Sequence, residues 1–198
     1  MTVRGVPLPK TLITGAPARA SEVAAALQQA GATPPLQADS ATALVDVCAS
    51  VPPGSLDCYI QLPYDHRAGA TAVADAAAMV ADGGLARYDA VTTVVPLLSD
   101  GATVVLVMEE RGDDQRRLDL AGAADDLTRL LARALRDDHP AAALKIAVVE
   151  DRQSPSDIAT IARLRGKPRP AASSYVDVEP GLGFADWRCQ VLSLLEAT

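Results

Sequence analysis

Aromatic residues are scarce: 198 residues hold one tryptophan, one phenylalanine and four tyrosines, 3% in all. With 49% of the chain apolar, the core must be built from alanine, valine and leucine, which suits a sheet covered by alanine-rich helices and disfavours a β-sandwich. Cysteine is sparse too. Cys48, Cys58 and Cys189 form an odd, widely spaced set without a CxxC pair, which argues against a disulfide framework or a zinc site and points to thiols in a reducing compartment. Positive charge is in deficit, with 18 lysines and arginines against 25 acidic residues and a net charge of −7. A nucleic-acid binder without sequence preference needs a basic stripe to displace counterions, so neither nucleic acid nor an anionic membrane is an expected partner. No apolar run reaches the roughly 18 residues of a membrane span. The opening MTVRGVPLPK lacks the apolar segment of a secretion signal, so a soluble, cytoplasmic protein is expected. The length suits one domain over 1–198, with a leader over 1–10 and a C-terminal helical segment over 180–198.

What is present is an alternation of strand and helix signals. TLITGAPARASEVAAALQQAGA, residues 11–32, reads as a short buried strand, a Thr14-Gly15 turn and a helix with Val23, Ala26, Leu27 and Ala30 at helical spacing. Gly31 is suited to cap that helix, because glycine adopts the left-handed conformation at little cost. Leu36–Ala38 is the next strand, and Asp39 or Ser40 caps a helix ended by Pro52, Pro53 and Gly54. LDCYIQL, residues 56–62, is a buried strand closed by Pro63. Two helices follow, over 68–82 and 84–98, separated by Gly83-Gly84. Ser99-Asp100-Gly101 reads as a turn and TVVLVM, residues 103–108, as a central parallel strand. Residues 114–136 form an amphipathic helix with Leu120, Ala124, Leu127, Leu131 and Leu135 on one face and an Asp125–Arg129 pair as support. Strands at 145–149 and 175–178 and helices at 155–165 and 187–195 complete the pattern, with 165–170 as a loop. The expected fold is α/β: a three-layer, Rossmann-like, doubly wound parallel sheet of about six strands.

The first turn has the shape of a dinucleotide-binding entrance with its phosphate-facing glycines missing. In that pattern one glycine makes the turn, a second lets the pyrophosphate approach the backbone and a third allows close helix packing. Gly15 fills the first role, and Arg19 and Ser21 stand at the other two positions. Arg19 can meet an anion with its side chain instead.

The order of elements over about residues 10–180 resembles the short-chain dehydrogenase/reductase family. TLITGA matches its opening strand and turn, and LQADSATALVDVC resembles the segment whose aspartate contacts adenine. LDCYIQL resembles the strand before the family's Asn-Asn-Ala-Gly turn, AVTTVVPLLSDGATVVLVM the helix and strand that precede its catalytic serine, and AGAADDLTRLLARAL its long dimerisation helix. The resemblance implies Thr14, Gly15, Arg19 and Asp39 as the residues nearest a cofactor, NAD or NADP where one binds. It also implies a dimer or hetero-oligomer formed through helices 84–98 and 114–136.

The chemistry of that family is missing. The residues four positions after Tyr59, Tyr64, Tyr88 and Tyr175 are Pro63, Ala68, Thr92 and Glu179, so there is no YxxxK. Arg117 and Ala121 align with its tyrosine and lysine, and Glu109 or Glu110 with its serine. Gln61-Leu62-Pro63-Tyr64 replaces the asparagine turn, and Glu150-Asp151 replaces a Pro-Gly that supports nicotinamide. Only one strand-helix step separates the first helix from LDCYIQL, where the family has more. The expectation is therefore a protein without catalytic residues or bound cofactor, a dimeric binding or scaffold subunit. The rival is an oxidoreductase with an atypical site, or a metal-assisted enzyme using an acidic strand-end rim of Asp39, Asp65, Glu109, Glu110, Glu150, Asp151, Asp177 and Glu179. No specific metal ligands are assigned. His66 beside Asp65 is a general base only if a pocket forms over it, and His139 beside Pro140 reads as a loop residue.

Overall fold

The computed structural model describes residues 10–64, 71–109, 115–150, 153–162 and 174–177. The leader, His66, the 165–170 loop and the C-terminal segment with Cys189 and Trp187 lie outside the described residues. So do Asp65, Glu110, Asp151 and Glu179 of the acidic rim.

Among the described residues six parallel strands form one sheet: β1 (Thr11–Thr14), β2 (Leu36–Ala38), β3 (Leu56–Gln61), β4 (Leu98–Val107), β5 (Lys145–Val149) and β6 (Ser174–Asp177). They lie in the order β2-β1-β3-β4-β5-β6. The doubly wound Rossmann order 3-2-1-4-5-6 has one further strand beyond its second, and this sheet ends there. The single strand-helix step in the sequence thus makes β2 the edge strand among the described residues. The winding reverses between β1 and β3, which sets the crevice at their carboxyl ends.

Helices α1 (Pro17–Gln29) and α6 (Pro155–Ala162) cover one face, where Ile13, Ile60 and Val105 pack with Val23, Leu27 and Ile158. On the other face Leu12, Tyr59 and Leu106 pack under α2 (Ala41–Ala49), α4 (Ala86–Val94) and α5 (Gln115–Asp138). The period of two along each strand produces this division, and burial of each large aliphatic side chain contributes about 1.5–3 kcal/mol. The cap signals hold. Gly31 is left-handed with φ +83° and its amide donates to Gln28 O at 2.9 Å, while Ser40 Oγ accepts from Ala43 N at 3.2 Å.

Several local expectations are corrected. Gly83-Gly84 does not separate two helices: α3 (Ala72–Ala78) passes through a π-helical segment (Met79–Leu85) directly into α4. Gly83 is buried, and a Cβ on Gly84 would lie 3.1 Å from Leu127 Cδ1, so the glycines allow α5 to approach. The α-helical turns expected over 84–98 end at Val94, followed by a short 3-10 turn, Val95–Leu97. Ser99-Asp100-Gly101 lies inside β4 rather than before it. Leu98 pairs with Leu56 and Thr103 already pairs with Cys58, a bulge that Gly101 accommodates at φ +74°. On α5, Leu131 and Leu135 are buried but Leu127 is 37% exposed, so the leucines do not share one inward face. Arg129 Nη1 lies 3.5 Å from Asp126 Oδ1, a contact in addition to the expected support on this helix, and Asp125 is buried. Cys58 is buried as expected, while Cys48 is only half-buried.

Candidate functional site

Period-two alternation points Thr14 of β1 and Tyr59 and Gln61 of β3 to the α4 side of the sheet. Their polar ends meet at the carboxyl ends of the strands. Thr14 Oγ1 and Tyr59 Oη are 2.8 Å apart, and Gln61 Nε2 donates to Tyr59 Oη at 3.1 Å and to Arg87 O at 2.9 Å. The Arg87 side chain returns the contact: Nε donates to Gln61 Oε1 at 3.1 Å and Nη2 to Val107 O at 2.6 Å. Its Nη1 lies 3.7 Å from Glu109 Oε1.

Arg87 is only 1% exposed. Burial pulls its guanidinium down from the usual range, while Glu109, then Tyr59, Tyr64 and Asp125, support the charge. An arginine keeps its proton in such surroundings, so the cluster holds a fixed buried cation. Burial pushes the Tyr59 phenol well above its usual range, opposed by its hydrogen bonds with Thr14 and Gln61. Tyr64, half-buried just past the end of β3, is also pushed up by burial. Both phenols are neutral at neutral pH.

The turn after β1 is closed against the turn after β3. Gly15 adopts φ +119°, and a Cβ there would lie 2.5 Å from Leu62 O. Leu62 N donates to Thr14 O and Ala16 N to Pro63 O, both at 2.8 Å. A helix N-terminus binds an anion through free amides. Here Pro17 opens α1 and has no N–H, and the Ala16 amide is already committed to Pro63.

Of the residues singled out from sequence, Thr14 and Gly15 lie at the centre of this region. Arg19 stands on the first turn of α1, and its Nη2 donates to Gln153 O at 2.7 Å while Nη1 contacts Glu22 Oε2 at 3.1 Å. Asp39 is exposed beyond β2, on the opposite side of β1 from Tyr59 and Arg87. Among the described residues no three His, Cys, Asp or Glu side chains converge to hold a metal ion. The sequence reading missed Tyr59, Gln61 and Arg87 as one unit. The signals were a glutamine at the end of a buried strand and an arginine in helical phase with Val91 and Val94.

Away from the strand ends, a groove of about 250 Å³ runs between α4 and α5, lined by Tyr88, Val91, Val95, Pro96, Leu131 and Leu135 among others. Beside these helices Leu85, Tyr88, Leu127 and Leu130 are exposed. No helix among the described residues is long and apolar enough to cross a membrane.

No family model and no curated protein matches the chain. Solved structures do. A Burkholderia multivorans protein described as a short-chain alcohol dehydrogenase is 14% identical, with TM-score 0.61, and the match covers 86% of this chain and 96% of that one. BdcA from E. coli is 17% identical with TM-score 0.58, covering 86% and 98%. A short-chain dehydrogenase/reductase from Serratia marcescens is 17% identical with TM-score 0.55, covering 87% and 98%. At these identities the similarity shows the fold: this chain has a Rossmann-like fold of the short-chain dehydrogenase/reductase type.

Proposed function

We propose that this chain is a short-chain-dehydrogenase-like protein without oxidoreductase chemistry, a cytoplasmic binding or scaffold subunit that dimerises with itself or with an active relative. The observation that carries this reading is the closed turn after β1. Gly15 is locked against Leu62, the Ala16 amide is bonded to Pro63, and Pro17 presents no N–H. A pyrophosphate needs those amides free and glycine-lined, and no YxxxK stands by to use a nicotinamide. The exposed Tyr88, Leu127 and Leu130 on α4 and α5, with Leu85 just before α4, support the association face.

A second reading keeps one observation in its favour. Tyr64 places a half-buried phenol just past the carboxyl end of β3, on the side of the sheet where an atypical reductase would hold its proton donor. Titration with NADH and NADPH by cofactor fluorescence, followed by assay with simple ketones and aldehydes, separates the two. The non-catalytic reading expects neither micromolar binding nor turnover. Turnover that Tyr64→Phe abolishes would replace it with the reductase.

A further inference from the structure

The buried Arg87 is held in the way a protein holds a bound ligand. Its guanidinium is contacted on different edges by Gln61 Oε1 from β3, Val107 O from the end of β4 and Glu109 just past that strand. Gln61 is itself oriented for this contact, since its Nε2 donates to Tyr59 Oη and to the Arg87 carbonyl. Tyr59 is in turn fixed by Thr14. The acceptors therefore come from the strand ends and are aligned by a buried network that reaches β1, while the cation comes from α4. A planar fork of donors meeting side-chain and backbone oxygens is the geometry of guanidinium recognition, which an ammonium group does not reproduce.

We propose that the carboxyl ends of β3 and β4 form a guanidinium-binding site whose resident ligand is Arg87, an internal latch that shuts the crevice from the α4 side. The latch deepens the reading above and rests on it for its consequence: a crevice sealed by its own side chain does not need a cofactor to be complete. The acceptor site itself stands on the contacts alone.

Chemical rescue tests it. Arg87→Ala removes the guanidinium and leaves Gln61, Val107 O and Glu109 in place, and should lower the Tm by about 10 °C, the effect of breaking a buried charged contact in a chain of this size. Millimolar guanidinium chloride should restore a substantial part of that loss in Arg87→Ala. Sodium chloride at equal ionic strength should not, and the exposed-site control Arg133→Ala should not respond to guanidinium. Arg87→Lys, which keeps the charge but not the fork, should remain destabilised. If Arg87→Ala is recovered only as aggregate, refolding yield from urea with and without guanidinium replaces the Tm. An Arg87→Ala variant that melts with the parent, or guanidinium acting no better than sodium, overturns the proposal. NADH titration of the parent chain is a separate measurement that decides the cofactor-free reading, so the two failures are distinguishable.

Discussion

Gly15 and Leu62 meet so closely that a β-carbon on the glycine would lie 2.5 Å from the leucine carbonyl oxygen and 2.7 Å from its Cβ. Both obstacles belong to a buried strand end and cannot swing away. The contact joins the turns after β1 and β3 at the point where the sheet reverses its winding. This glycine serves packing between two turns.

Gly15→Ala should therefore destabilise the protein by about 3 kcal/mol, combining an unfavourable φ with a backbone clash. Gly31→Ala is the informative comparison. Gly31 has φ +83° but nothing within 4 Å of an added Cβ, so only the conformational cost of about 1 kcal/mol remains. Urea unfolding of both variants measures the difference, and equal losses would show that the Leu62 contact is unimportant.

Tyr59→Phe should cost about 1–2 kcal/mol, because it strips a partner from Thr14 Oγ1 and from Gln61 Nε2 in a site without bulk water. Thr14→Val should cost a similar amount. Since the two hydroxyls are 2.8 Å apart, the double variant should lose less than the sum, with a coupling of about 1 kcal/mol. Strict additivity in urea unfolding would mean that the hydroxyls do not form one network.

The strands were legible in the sequence because their aliphatic runs have no other use. KIAVV became β5 with the expected bounds, and the TVVLV of TVVLVM became the second half of β4, which already begins at Leu98. Two local rules misled. Gly83-Gly84 is a helix breaker by propensity, but close packing against α5 favours small residues in a continuous helix. Ser99-Asp100-Gly101 has turn chemistry, yet the bulge uses the same left-handed glycine without ending the strand. The site was half legible. Thr14 and Gly15 follow from their place at the end of β1 and its turn, whereas Tyr59 and Arg87 are 28 residues apart in sequence and meet only because β3 and α4 pack together.

Alkaline pH should destabilise the chain through its buried acids. Burial raises the Cys58 thiol from 9.0 and the Tyr59 phenol from 10.0, and raises Cys48 and Tyr64 in the same direction. A raised folded-state value means that the unfolded chain releases its proton first. Stability is thus unaffected by these groups below their ordinary values and falls as pH rises through and beyond them, by at most about 1.4 kcal/mol per pH unit for each proton. Lys145, pulled down by burial, works in the opposite sense but is less deeply buried than Cys58 and Tyr59. Urea midpoints measured from pH 8 upward should fall, and Tyr59→Phe should fall less steeply above 10.0. A flat profile would contradict the burial of both groups.

Leu130 is the residue that separates the association face from the core. It stands one position before Leu131 on α5, yet it is 59% exposed whereas Leu131 is 7% exposed. A helix turns about 100° per residue, so neighbouring leucines serve different surfaces. Leu130 has Leu127 one turn back, and Leu85 and Tyr88 are exposed on and beside α4. A charge there should leave folding intact, because the side chain is already largely in water, and should weaken a dimer at least about tenfold, since an apolar contact would be exchanged for a desolvated carboxylate. Sedimentation velocity at micromolar concentration should show a dimer for the parent chain and a monomer for Leu130→Asp, with the two melting within a few degrees of each other. Leu131→Asp should instead fail to fold stably, since it places the same charge inside the core. A parent chain that is monomeric throughout would remove α4 and α5 as a self-association face and leave only a different partner to cover them.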